Sequence, residues 1–132
     1  DSSNLEPFAT RNRLRNEVIP LLSEIMKRDI IPNILRASDH HRKLENTADT
    51  YLSSVEILDP QGRLHLPTLR SLPQALQKRA IHQFLLSHQI PNLTSAHVEQ
   101  ALTITTPDAP PSINLPGGQR LRRKEARLFI SP

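Results

Sequence analysis

Between Pro32 and the turn signal Asp59-Pro-Gln-Gly62, one apolar pattern runs without interruption. Ile34, Ala37, His41, Leu44, Ala48, Tyr51, Val55 and Leu58 step by three and four residues. A seven-residue repeat held this long specifies a long helix and demands a partner for its seam. Asn33 is placed to cap its start, and Pro32 disfavours helical geometry at Ile31. His41 and the two alanines leave the seam thin, which argues against a free-standing coiled coil. Packing against the preceding helix is the expectation.

That preceding helix is expected from about Arg11 to Lys27, with Thr10 as its N-cap. Leu14, Val18, Leu21 and Ile25 recur at spacings that seek a core. Pro20 falls inside, removing a backbone donor and bending the axis. Three arginines and two asparagines crowd the head, Arg11-Asn12-Arg13-Leu14-Arg15-Asn16. Arg11 and Arg15 are one turn apart and share a face. Such a head either presents charge from a half-buried stem or is simply a solvated face.

Beyond the long helix, Leu64, Leu66 and Leu69 are spaced for a short extended segment that Pro67 cuts off. A third helix is expected to open at Pro73, with Leu76, Ala80, Ile81, Phe84 and Leu85 inward, and to end near His88. After the connector Ile90-Pro-Asn-Leu93, Thr94 or Ser95 starts a shorter fourth helix with Val98, Ala101 and Leu102 inward. The pattern then changes. Ile113 and Leu115 alternate, Pro116-Gly-Gly118 turns, Leu121 and Arg123 alternate, residues 124–126 turn, and Leu128 and Ile130 alternate. The fold class is therefore α+β, mainly α: about four helices, two of them long, and a small C-terminal antiparallel β-meander. So small a sheet must lean on the helices.

The chemistry available is narrow. The chain has no cysteine and three glycines in 132 residues, so thiolate metal sites and Gly-rich nucleotide loops are absent. His40, His41, His65, His82, His88 and His97 form no metal-ligand spacing, and no metal site is expected. For His41, a bond to a carboxylate such as Glu45 within the core is the default. No serine sits in a nucleophile elbow. Asp1 is the one carboxylate beside the arginine-rich head, either as a catalytic or metal-binding group or in an Asx-turn or arginine pair. No apolar run approaches membrane-spanning length, so no membrane partner is expected. Opening on Asp in a polar loop, the chain reads as a piece of a longer protein.

Lys and Arg number 17 against 13 Asp and Glu, a formal charge of +4, which is compatible with nucleic acid without being diagnostic. Placement says more. Arg120, Arg122 and Lys124 share one face of the second strand, opposite Leu121 and Arg123. That face either contacts phosphates or merely solubilises the sheet. Three Phe and one Tyr leave few aromatics for stacking, which argues against readout of unstacked bases there.

Asp1-x-Ser3-Asn4, then Arg11-Asn12-x-x-Arg15, then Pro20-x-Leu22, resembles the segment of tRNA(Ile)-lysidine synthetases that ends the catalytic domain. Pro60-Gln-Gly-x-Leu64, an apolar helix with Arg79, a Pro-bearing connector, a short helix at His97-Val98, and Leu115-Pro-Gly-Gly before a basic strand resemble the family's substrate-binding domain in order. The resemblance covers nearly the whole chain. It implies residues 1–27 as the end of the catalytic domain with a linker helix, and residues 28–132 as the tRNA substrate-binding domain.

Members of that family use ATP and Mg to adenylate the wobble cytidine of the CAU-anticodon isoleucine tRNA, and lysine then displaces AMP. Their Ser-Gly-Gly-x-Asp-Ser loop has no match here, so this piece is expected to hold no cofactor and to be inactive alone. The resemblance implies catalytic roles for Asp1, Arg11 and Arg15, and tRNA contact by Asn4, Asn12 and Arg13. For Arg120, Arg122 and Lys124 the expectation is general tRNA contact. The implied partners are tRNA(Ile) and an N-terminal pyrophosphatase-loop domain, in the cytoplasm, with room for a homodimer of the parent enzyme. The competing reading is a non-enzymatic helical module whose apolar seam docks a partner helix.

Overall fold

A computed structural model describes residues 5–132. Asp1 and Asn4, two of the expected site residues, lie outside the described residues. The chain forms two compact units, Asp1–Asn46 and Thr47–Pro132, divided within one long helix.

In the first unit, α1 spans Leu5–Arg13 and α2 spans Ile19–Met26, joined by a π-helical turn over Leu14–Val18. The helix thus begins before Thr10, which sits inside it rather than capping it. The π turn is the chain's answer to Pro20. A proline ring crowds the carbonyl four residues back, and a wider turn there removes the conflict. The Ile19 N–H accordingly bonds the Leu14 carbonyl, a five-residue step. Lys27, in the left-handed region at φ 52°, ends α2.

The expected burial of this stem does not occur. Leu14, Val18, Leu21 and Ile25 are all exposed, Ile25 by 63%. The π turn explains part of the misreading: one residue more per turn rotates the remainder of the helix by about 100° and breaks the stripe. Among the described residues of this unit, Ile30 is the buried apolar one, its N–H bonded to Ser23 Oγ at 3.3 Å.

The long helix α3 covers Ile31–Ser53. Asp29 rather than Asn33 serves its start, its Oδ1 accepting the Ile31 N–H at 3.0 Å. It stops short of Leu58, and the Ser53 and Ser54 hydroxyls bond the Thr50 and Tyr51 carbonyls at its end. Ile34, Leu44 and Tyr51 of the expected seam are exposed, and Leu52 is the buried residue of the helix. His41 does meet Glu45, at 3.4 Å, but on the surface rather than in a core.

The second unit carries the core. After the Asp59–Gly62 turn come β1 (Leu64–His65), α4 (Leu66–Ser71), α5 (Gln74–Ser87) and α6 (Ser95–Thr103). The extended segment expected through Leu69 is therefore two residues of strand and then helix. Pro67 lies in the first turn of α4, where its missing N–H costs nothing. Leu66 and Leu69, three apart on that helix, are both fully buried. On α5, Ala80, Ile81, Phe84 and Leu85 are buried as the spacing requires. Thr94 caps α6 in a reciprocal box with His97, whose Nδ1 accepts the Thr94 N–H at 3.0 Å.

The meander follows as β2 (Ser112–Asn114), β3 (Arg120–Lys124) and β4 (Arg127–Ser131), and β1 joins it to give the antiparallel order β1-β4-β3-β2. Leu121 and Leu128 are completely buried and belong to one cluster with Leu64, Ile81, Leu85 and Ile104. Each buried leucine contributes about 2 kcal/mol, which is what fastens an otherwise marginal sheet to the helices.

Candidate nucleic-acid interface

Strand register sets the outer face of the sheet. Arg122 pairs with Ser112 on one side and Phe129 on the other; Arg120 pairs with Asn114 and Ser131, and Lys124 with Arg127. Directly paired residues share a face. With Leu121 and Leu128 committed to the core, Arg120, Arg122 and Lys124 are driven outward, and all three are exposed. The sequence-derived placement of these three side chains on one face holds.

What separates them from the other cations of the second unit is the lack of a partner. In the second unit Arg63 and Arg127 bond Asp59, at 2.7 and 3.2 Å, and Arg79 bonds Asp49 at 2.7 Å. Lys78 meets Glu99 at 2.5 Å, and Arg70 Nε donates to the Thr105 carbonyl at 2.9 Å. Arg123 Nη2 donates to the Pro107 and Ala109 carbonyls, both at 2.9 Å. Among the described residues, Arg120, Arg122 and Lys124 make no ion pair and no side-chain hydrogen bond. Their charge faces solvent.

The surrounding frame is densely hydrogen-bonded. Asp59 accepts the backbone N–H groups of Gln61 and Arg63, both at 2.9 Å, beside its two arginines, and its side chain is only 6% exposed. Burial pushes the Asp59 carboxyl up, but the bonds from Arg63 and Gln61 outweigh it and hold it below the usual carboxylate range. Arg123, on the inner face, secures the 106–111 loop, since its own N–H also bonds the Pro111 carbonyl at 2.7 Å. That loop edges a recess of about 290 Å³ lined by Pro111, Ser112, Arg122, Arg123, Lys124 and Phe129. Phe129 is the residue that composition conceals: a single aromatic, half-buried, in the middle of the basic face. The signal for it was the inward alternation of Leu128 and Ile130, which turns Phe129 outward.

The arginine-rich head belongs to the first unit. Arg11 lies in α1, and Arg15 within the π turn. Both are exposed, while Arg13 is engaged with Glu17 at 3.1 Å. Asn12 is half-buried. A recess at the π turn is lined by Thr10, Arg13, Leu14 and Val18, so it gathers Arg13 but neither Arg11 nor Arg15.

Among the described residues no three His, Asp or Glu side chains group as a metal site. The Pro116–Gly118 turn is packed from one side. Gly117 has φ 79°, and a Cβ there would stand 3.0 Å from Pro91 Cδ, so the Pro116–Gly118 turn packs on Pro91 rather than cradling phosphate. Among the described residues no helix is long and apolar enough to cross a membrane.

Comparison with known proteins fits this frame. The family model described as the TilS substrate binding domain matches residues 64–129, from the first residue of β1 to Phe129. The chain belongs to the TilS substrate-binding domain family. The match takes in the three unpartnered cations and Phe129. Proteins named tRNA(Ile)-lysidine synthase are similar over a longer stretch. That of Streptomyces coelicolor is 30% identical over 98% of this chain and 38% of its own length. That of Thermosynechococcus vestitus is 35% identical over 92% of this chain and 37% of its own length. The Thermobifida fusca protein is 26% identical over 99% of the chain and 42% of its own length. The chain thus spans about two fifths of the length of these relatives, and the family match begins near its midpoint.

Proposed function

We propose that this chain is the RNA-holding part of a tRNA(Ile)-lysidine synthase, and that it binds tRNA through the outer face of its sheet. In this reading the parent enzyme uses ATP, Mg and lysine to convert the wobble cytidine of the CAU-anticodon isoleucine tRNA to lysidine in the cytoplasm. The ATP chemistry belongs to a catalytic portion outside this chain, which alone is inactive. Arg11 and Arg15, with Asp1, stand at that portion's cleft, and Asn4, Asn12 and Arg13 touch the tRNA beside them. A guanidinium suits this work because it can grip phosphate or adenylate oxygens in two-point fashion.

The observation that carries the reading is the set of three exposed, unpartnered cations within the family-matched segment. Binding of tRNA should weaken steeply with salt. Replacing Arg120, Arg122 and Lys124 together by Gln should lower the slope of log affinity against log salt by about one for each cation removed. A triple variant with the wild-type slope would sink the assignment.

The alternative, a non-enzymatic protein-interaction module, draws on the exposed Leu21, Leu22 and Ile25 of the first unit. We assign that apolar surface to contact with the catalytic portion instead, which accounts for it without a separate function. The longer protein that carries this chain, if it lacked lysidine-forming activity, would favour the module.

A further inference from the structure

We propose that Phe129 is a stacking platform for one unpaired nucleobase, flanked by Arg122 and Lys124 as holders of the adjoining phosphates. This rests on the RNA-binding reading above and adds to it a class of RNA: single-stranded rather than duplex.

Phe129 is half-buried on the outer face, beside Arg122, with part of its ring left open to the recess. Its cross-strand partner is Arg122, and Arg127 and Ser131 flank it on the same face of its own strand, so none of these neighbours is apolar. The recess at its side, about 290 Å³, is at the lower end of ligand-site volumes and suits one planar group. Pro111 and Ser112 wall that recess, and the wall is held before any ligand arrives. Arg123 fixes it through the Pro111 carbonyl at 2.7 Å and the Pro107 and Ala109 carbonyls at 2.9 Å. Preorganisation of this kind lowers the cost of ordering on binding. A base stacks on an aromatic ring whatever its identity, but only when its face is free of a helix. Arg122, paired directly across from Phe129, and Lys124, next on the same face, line the neighbouring strand along one side of the ring, where the backbone carrying that base would run. The geometry therefore selects a loop, bulge or end of RNA over a continuous helix.

The test uses residues 1–132 with two probes over the same series of salt concentrations: tRNA and a blunt RNA duplex. Phe129→Leu keeps apolar volume and removes the π face. It should weaken tRNA binding about ten-fold, leaving duplex binding and the salt slope unchanged. Phe129→Trp should restore affinity, and because the chain contains no other tryptophan, its emission reports the site directly. Quenching by a short single-stranded oligoribonucleotide, and none by the duplex, is the expected result. Unchanged emission at saturating single strand, or equal loss of both probes in the Leu variant, overturns the proposal. A normal salt slope with a silent Phe129→Leu rejects stacking alone, whereas wild-type binding without salt dependence rejects the RNA reading itself.

Discussion

Arg79 meets both carboxylate oxygens of Asp49, its Nε donating to Oδ1 at 2.7 Å and its Nη2 to Oδ2 at 2.9 Å. Gln83 adds a third donor at 2.6 Å, so two residues of α5 hold the last stretch of α3 within the second unit. The fork is the strong geometry for this pair of groups, and a lysine cannot reproduce it. The Arg79 guanidinium is the main cause holding the Asp49 carboxyl below its ordinary value of 3.8. A carboxyl depressed by folding stabilises the native state above that value, and the benefit fades as pH falls towards its native pKa. Asp49→Asn and Arg79→Lys should each lower the urea midpoint at neutral pH. The gap between wild type and Asp49→Asn should begin to close below about pH 4. A gap that stays constant into acid would mean that the carboxylate's charge is not what the fold uses.

The β3–β4 hairpin turns through Glu125 and Ala126, with φ of 49° and 58°. A two-residue loop with positive φ at both positions is the type that Asn-Gly serves best, and neither resident residue is suited to it. Replacing the pair by Asn-Gly should add about 1 kcal/mol of stability. For a unit of this size that is a rise in Tm of roughly 4–8 °C. Calorimetry checks it, and RNA affinity should not change, since Lys124 and Arg127 keep their register.

Residues whose role is local were legible in the sequence, and residues whose role depends on a partner were not. The inward faces of α5 and α6 follow from their spacing alone, and so does the outward turn of Arg120, Arg122 and Lys124 against Leu121. Leu66 and Leu69 read as strand because Pro67 was weighed as a breaker of sheets rather than as a starter of helices. The apolar stripes of Leu14 to Ile25 and of Ile34 to Tyr51 are real patterns, yet among the described residues Leu14, Val18, Leu21, Ile25, Ile34, Leu44 and Tyr51 stay exposed. Periodicity records that a face is apolar and is silent about what covers it. Phe129 was hidden by counting aromatics instead of following the register, and Asp59 by its reading as turn chemistry alone.

Gly117 is constrained twice, by φ 79° and by Pro91, whose Cδ would lie 3.0 Å from an added Cβ. Gly117→Ala should therefore lose about 1–3 kcal/mol, combining left-handed strain with overpacking. Pro91→Ala removes only the second cost. In the double variant, the further loss caused by Gly117→Ala should be smaller than in the wild type. Denaturant titration of the four proteins separates the terms, and strict additivity would show that the contact with Pro91 does not matter.

At the arginine-rich head, the exposed pair between Arg13 and Glu17 distinguishes Arg13 from its neighbours. An exposed ion pair of this kind adds little stability, and Arg11 and Arg15 are equally exposed, so none of the three is needed for folding. Any effect of replacing them must come from function. If the proposed function holds, Arg11→Ala with Arg15→Ala in a longer protein carrying this chain should abolish lysidine formation while leaving Tm within a degree or so of the wild type. Arg13→Ala should weaken tRNA binding modestly and keep turnover, because its charge is already shared with Glu17. Measuring product formation and melting temperature on the same preparations separates lost chemistry from lost structure. Wild-type turnover in the double variant would remove Arg11 and Arg15 from the catalytic cleft and leave the sheet face as the chain's remaining claim on RNA.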